Sequence, residues 1–317
     1  MPPAPPSTRP QFDPLVVSPP LARARHLTGA RDWPGLVRYF AALDHPDEEA
    51  AACRTVGGTH GSETFLRQVA DLYPADPLPR VLLADRLISL GWEIRSGARA
   101  QHVTAAQFEQ FHAHLRQAEQ LLIAVCAQYP AYALAWYLRG ITARGLELGQ
   151  SEARRRYDRL AAHHPHHYPA QRQLLQQSCP KWGGSWEAAH GFAEACARAA
   201  PPGSQSPAVV AEAHFEHWSD LDGAEATGYL RRPDVRDSLL NAAAASVLHP
   251  SFRPGFHGVT AHTYFAFAHS VAGRHAEAAP HFRALGNCAD EHPWLFLPGR
   301  DAAAAFSKHR ASALGRG

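Results

Sequence analysis

The sequence has almost no net charge, because 31 lysine and arginine residues are balanced by 29 aspartate and glutamate residues. It therefore lacks the basic excess typical of proteins that bind nucleic acid or anionic membranes. It also lacks a disulfide pattern, since its five cysteines are odd in number, widely spaced and without a C-x-x-C pair. Reduced thiols are typical of a cytoplasmic protein, which is the location we expect.

Long apolar runs and the common catalytic motifs are missing as well. The most apolar stretch, residues 121–127, is far shorter than the roughly 20 residues that span a bilayer. No Walker loop, G-x-S-x-G elbow or dinucleotide fingerprint occurs. Runs of alternating β-branched residues are also absent. From these absences we expect no membrane insertion and no nucleic-acid partner. We also expect no cofactor, no metal and no catalytic residue.

Proline is concentrated at the start of the chain, with eight prolines in residues 1–20. This stretch has neither the basic nor the apolar region of a signal peptide. Its composition is typical of an extended or disordered arm. We expect residues 1–20 to form such an arm and residues 21–314 to form a single helical-repeat domain.

A spaced pattern recurs in the middle of the chain. Ala118, Ala153 and Ala188 are each followed by a bulky residue four positions later and by a proline twelve or thirteen positions later. The alanines are 153 − 118 = 35 and 188 − 153 = 35 residues apart, close to the roughly 34 residues of a tetratricopeptide repeat. The pattern predicts an all-α, tetratricopeptide-like solenoid, a right-handed superhelix of helix pairs. The three alanines should be buried at equivalent positions on successive second helices.

The pattern is irregular towards both ends. A weaker copy at Ser62 lies 118 − 62 = 56 residues before the first good copy. A longer first helix near residues 81–95 and a loop over 96–103 would accommodate the difference. Thr104 and Gln107 form a capping-box pattern. Ala278, five residues after Gly273, restores the repeat pattern near the carboxyl end.

The string Pro-Lys-Trp-Gly-Gly-Ser over residues 180–185 differs from its alanine-rich surroundings. Gly183 lies five residues before Ala188, where a turn between two helices favours a left-handed glycine. A tight turn requires neither Lys181 nor Trp182. A large aromatic residue can pack in a core or anchor a partner, so Trp182 stays open between these two roles.

This string, residues 92–97 and the helices between them resemble an uncharacterised bacterial family, a domain of unknown function with tetratricopeptide-like helices. The resemblance covers roughly residues 74–220. It implies a helical-repeat fold and a bacterial source, and it implies no activity.

Histidine and arginine clusters suggest metal or phosphate chemistry only weakly. His163, His164, His166 and His167 surround Pro165, and a second pair is His214 and His217. A zinc site needs three or four converging ligands, so we favour a solvated loop for the first cluster. A run of arginines is interleaved with acidic residues, which favours a salt-bridged helix face; its members are Arg154, Arg155, Arg156 and Arg159.

The sequence as a whole predicts a protein- or peptide-binding module. We expect the binding surface on the concave face of the superhelix, lined by the first helices of successive repeats. Candidate contact residues there are Trp136, Tyr137 and Arg139.

Two alternatives stay open at this stage. One is an enzyme whose site forms where stacked repeats meet near the irregular insertion, using Glu93, Arg95, Lys181 and Trp182. The other is a metal-binding helical protein built on the histidines.

Overall fold

A computed structural model describes residues 9–95 and 103–315. These residues form seventeen α-helices and no strand, and one isolated β-bridge joins Gln11 to Cys288. The predicted all-α class is confirmed. The chain divides into two compact units, a first unit of Pro19–Gly184 and a second unit of Met1–Ser18 with Ser185–Gly317. A stack of repeats can divide wherever neighbouring helices touch least, so the prediction of a single domain over 21–314 stays a prediction.

The first unit contains nine helices. They are α2 (Pro19–Gly29), α3 (Trp33–Ala41), α4 (Pro46–Gly57), α5 (Glu63–Leu72), α6 (Pro77–Arg95), α7 (Ala105–Gln128), α8 (Ala133–Gly145), α9 (Gln150–Ala161) and α10 (Tyr168–Ser178).

Side chains at the helix starts explain several of these boundaries. Asp32 accepts a hydrogen bond from the Gly35 N–H at the start of α3. The capping box predicted for Thr104 and Gln107 is confirmed at the start of α7. Such caps satisfy backbone N–H groups that the first helical turn leaves without partners. The long helix predicted near 81–95 is also confirmed as α6, whereas most of the predicted loop over 96–103 lies outside the described residues.

Consecutive helices of the first unit pack in pairs. The pairs include α6 with α7 and α8 with α9, and α8 also packs against α6, α7 and α10. Helix α4 contacts α6, α8 and α10. The side that these three helices present to α4 is therefore covered by the chain itself.

The second unit contains the remaining helices. They are α1 (Pro14–Val17), α11 (Trp186–Ala199), α12 (Val209–Ser219), α13 (Gly223–Tyr229), α14 (Pro233–Ala245), α15 (Gly258–Val271), α16 (His275–Leu285) and α17 (Ala302–Ala313). The interior of its carboxyl-terminal part is aromatic, with Phe282, Trp294 and Phe306 fully buried and in ring contact.

Part of the predicted arm packs on this second unit. The Gln11 N–H donates to the Asn287 carbonyl at 2.7 Å, and the Ala289 N–H donates to the Gln11 carbonyl at 3.0 Å. The Phe12 ring meets the Phe306 ring edge to face at 6.4 Å. Residues 1–8 of the predicted arm lie outside the described residues. Backbone pairing holds Gln11 and a ring contact holds Phe12. A count of prolines reveals neither contact.

The predicted equivalence of the three alanines fails at the third position. Ala118 and Ala153 are buried, at 0% and 5% exposure, but Ala188 is exposed. It lies in the first turn of α11, where Ser185 caps its N–H. The buried face of α11 begins one residue later, with Ala189 and Ala193. The pattern is therefore displaced by one residue in this copy.

Candidate functional site

Two tryptophans and an arginine form an aromatic–cationic stack on the first unit. The Arg144 guanidinium carbon lies 5.9 Å from the ring centre of Trp92 and 5.5 Å from that of Trp182. The three residues come from the end of α6, the last turn of α8 and the 3₁₀ turn Pro180–Trp182 that follows α10. Packing of α8 against α6 and α10 brings these helix ends together. We call these three residues the indole–arginine stack.

Two glycines and two glutamines hold the Trp182 turn. Gly183 is left-handed, with φ of 81°, as predicted for this position. A Cβ on Gly184 would lie 2.0 Å from the backbone carbonyl oxygen of Ser178, so only glycine fits there. The carbonyl of Trp182 accepts from the Nε2 atoms of Gln150 and Gln177 at 2.9 and 3.2 Å. The backbone of the turn is thus fixed by the two glycines and by two hydrogen bonds to the Trp182 carbonyl.

All three members of the indole–arginine stack are half-buried, and Lys181 beside them is exposed. The Arg95 guanidinium carbon lies 5.4 Å from the Trp92 ring centre. The Nη1 of Arg144 donates to the Gln173 side-chain oxygen at 2.7 Å, which helps to hold the guanidinium in place. The structure therefore links the predicted residues Arg95 and Trp182 through two residues that were not predicted as site residues.

Glu93, the fourth residue of the predicted enzyme site, belongs to a different group. Its carboxylate pairs with Arg86 at 3.0 Å and lies 3.7 Å from His60. Arg86 is buried and also binds Glu63 at 2.7 Å and the Gly57 carbonyl at 2.9 Å. Charge pairing with a buried arginine therefore accounts for Glu93. None of its hydrogen bonds reaches the Lys181–Trp182 turn.

The residues predicted for the concave face lie in the interior. Trp136, Tyr137 and Arg139 are 8%, 6% and 8% exposed. The Trp136 Nε1 donates to the Pro130 carbonyl at 2.7 Å, and burial raises the pKa of Tyr137 to about 12. A cavity of about 10 Å³ adjoins the two rings, enough for about one water molecule. These side chains pack the unit and offer little surface to a partner.

Arg139 is part of a buried ionic network that the sequence reasoning missed. The Glu119 carboxylate accepts from Arg139 at 3.0 Å and from Arg156 at 3.0 Å. Arg156 also binds Glu152 at 2.7 Å. Hydrogen bonds from Arg155 and Arg156 lower the pKa of Glu152 to about 2. The arginine run is therefore only partly a solvated face, since Arg156 is 3% exposed.

His167, one of the four histidines around Pro165, has a structural role. His167 caps α10, accepting the Ala170 N–H on Nδ1 at 3.1 Å. Its ring lies 5.6 Å from the Tyr137 ring. Within residues 9–95 and 103–315, no three histidine, cysteine or acidic side chains are arranged to hold a metal ion.

A second histidine group lies in the second unit. His214 and His217 of α12 meet His190 of α11, and the His190 Nε2 lies 2.9 Å from the His217 Nδ1. The Trp186 ring stacks on His217 at 4.5 Å. Burial and the neighbouring histidines lower the pKa of His190 to about 4 and that of His214 to about 3. These imidazoles are neutral at pH 7.

Sequence reasoning missed two residues of the site, Trp92 and Arg144. The local signal for Arg144 is its position in the last turn of a helix one repeat before the Trp182 turn, because repeat stacking places corresponding helix ends side by side.

Comparisons with known proteins add no neighbour. No protein-family model, curated protein or solved structure matches the chain. Among the helices that the structure describes, none combines the length and the apolar character needed to cross a membrane.

Proposed function

We propose that the chain is a protein- or peptide-binding module built from tetratricopeptide-like helix pairs. It would act in a bacterial cytoplasm and engage its partner through the indole–arginine stack. The two half-buried indoles that both contact Arg144 carry this proposal.

Helix packing supports the repeat part of the proposal. Helices α6, α8 and α10 contact one another in series, and α7 and α9 each pack against the helices before and after them. The starts of α8 and α10 are 168 − 133 = 35 residues apart. This is the step that the alanine pattern predicts, and it matches the roughly 34-residue repeat.

Composition and rigidity support the binding part. Tryptophan and arginine are the residues most enriched among interface hot spots. The turn that carries Trp182 is held by glycine geometry and two glutamines, and Arg144 is held by Gln173. A preorganised surface loses little conformational entropy on binding. With Arg95 and Lys181 beside the indoles, the fitting partner is a segment that presents acidic and apolar side chains together.

Quantitative affinity capture from a native bacterial lysate tests the proposal. The bait is the full chain, as wild type and as the Trp182→Ala and Arg144→Ala variants. Hot-spot truncation costs at least about 2 kcal/mol, or roughly 30-fold in affinity. A discrete set of proteins should therefore bind wild type and be lost from both variants.

The matched control is Leu72→Ala, because Leu72 is 72% exposed on α5 of the same unit. This variant should capture the same proteins as wild type. Thermal melts of every bait ensure that equal folded amounts are compared. Capture that is identical for wild type, Trp182→Ala and Arg144→Ala would contradict the proposal.

A further inference from the structure

A groove of about 400 Å³ lies on the second unit between α11, α12 and α14. Its volume is within the range of small-molecule sites. Apolar residues such as Val210 and Ala242 line part of it. Its polar lining residues are Glu194, Arg198, Ser238 and Asn241. It belongs to the other unit from the indole–arginine stack and is independent of the proposed function.

Ser238, in the lining of this groove, is connected to the histidine group by hydrogen bonds. The Ser238 Oγ lies 3.1 Å from the His214 Nε2, and the His214 Nδ1 lies 2.8 Å from the Tyr229 hydroxyl. The same hydroxyl lies 3.2 Å from the His190 Nε2. Both imidazoles are neutral, and burial raises the pKa of Tyr229, so the tyrosine keeps its single proton.

The direction of each bond depends on the tautomer of His214, which we assign with its proton on Nε2. In that tautomer Nδ1 is the acceptor, and the Tyr229 hydroxyl donates its one proton to it. A neutral imidazole carries one N–H, so His214 then donates from Nε2 to the Ser238 oxygen. The hydroxyl proton of Ser238 is left to donate elsewhere, and no acceptor for it occurs among the residues that the structure describes. It is available to a ligand in the groove.

Other polar groups of the groove complement one kind of molecule. Asn241 is exposed and makes no side-chain hydrogen bond within the described part of the chain. Arg198 and Glu194 lie at the exposed rim, and they pair with each other at 3.3 Å. Exposed pairs of this kind contribute about 0–1 kcal/mol. A ligand that carries both charges can therefore replace the pair at little cost.

We propose that this groove binds a small zwitterion of the amino-acid or dipeptide class. Its carboxylate accepts from Ser238, Asn241 and Arg198, and its ammonium group pairs with Glu194. Short aliphatic side chains contact Val210 and Ala242. His214 acts as a positioning residue, because its Nε2–H fixes the orientation of the serine hydroxyl.

Isothermal titration of the full chain with L-alanyl-L-alanine tests this assignment. Saturable binding is expected, and Ser238→Ala and Asn241→Ala should each weaken it about 10-fold, the equivalent of one lost hydrogen bond to a charged group. Arg198→Gln should weaken it at least as much. The amide of the dipeptide lacks the carboxylate and its N-acetyl form lacks the ammonium group, so both should bind at least about 10-fold more weakly.

Matched controls in the same unit are Ser312→Ala and Arg283→Gln, since both residues are exposed on other helices. Neither should change binding. The assignment is overturned if no heat of binding appears up to about 10 mM dipeptide, a weaker affinity than specific small-molecule sites show. It is also overturned if the amide and N-acetyl forms bind as well as the zwitterion, or if the groove variants bind as wild type does.

Discussion

Acidification should unfold the second unit before the first, because several of its histidines are buried in the neutral form. Burial lowers the pKa of His262 and His269 to about 4, as it does for His190, and that of His214 to about 3. Their pKa in the unfolded chain is about 6.5. Below that value the unfolded chain takes up protons that the folded unit does not. Stability is therefore complete above pH 6.5 and falls as the pH decreases towards 4.

His269 gives the clearest magnitude. It is fully buried, and neither ring nitrogen has a hydrogen-bond partner among the described residues. Between pH 7 and pH 5 the unfolded imidazole goes from about one quarter to almost fully protonated, and this uptake, integrated at 1.36 kcal/mol per pH unit, amounts to about 2 kcal/mol. Several such histidines together approach the 5–15 kcal/mol stability of a typical domain.

The test compares wild type with His269→Phe, which removes the titrating group and keeps a ring of similar shape. Native-state hydrogen exchange at pH 7 and pH 5, corrected for intrinsic exchange rates, reports on each unit separately. In wild type, protection of residues 185–315 should fall at pH 5. The variant should recover about 2 kcal/mol of that loss. The control His275→Gln changes an exposed histidine of the same unit and should recover none.

Equal protection of wild type at both pH values would refute this reasoning. So would a loss at pH 5 that His269→Phe leaves unchanged, because the buried imidazole would then carry none of the linkage.

Three further substitutions test other parts of the account, each by urea unfolding. Gly184→Ala should cost about 1–3 kcal/mol because its Cβ would lie 2.0 Å from a carbonyl oxygen, whereas Gly191→Ala has no neighbour within 4 Å and should gain up to about 1 kcal/mol. Arg156→Ala strips the buried Glu119 carboxylate of a partner and should cost about 3–5 kcal/mol, against about 0–1 for the exposed Arg154→Ala. Burial raises the pKa of Asp47 to about 7 from 3.8. Its contribution to stability is therefore lost as the pH rises from about 4 to 7, and Asp47→Asn should be more stable than wild type at pH 8.

Helical content and several helix boundaries could be read from the sequence because local signals encode them. The capping box at Thr104 and the left-handed Gly183 depend on a few neighbouring residues, and both are confirmed. The 35-residue alanine pattern correctly placed Ala118 and Ala153 in the interior. It failed at Ala188, where the buried face of the helix begins one residue later, at Ala189. The 35-residue step between the alanines does not reveal this displacement.

The candidate site was predictable only in part, since it depends on contacts between distant helices. Trp182 stood out by composition, but its partner Arg144 lies in an ordinary helical stretch. Tyr137 was instead predicted to line the binding surface, but it is buried. Whether this side of α8 is exposed depends on α4. Helix α4 packs against α6, α8 and α10, and nothing in its sequence specifies that position.

Site-specific photocrosslinking tests the central claim most directly. A benzophenone amino acid is placed at position 181, which is exposed beside Trp182, or, as the control, at position 72, and the full chain is irradiated in native lysate. Our account predicts a discrete crosslinked partner at position 181 and none at position 72, and Arg144→Ala should abolish the crosslink. No crosslink at position 181, or the same products at both positions, would contradict the claim that the indole–arginine stack is the binding surface.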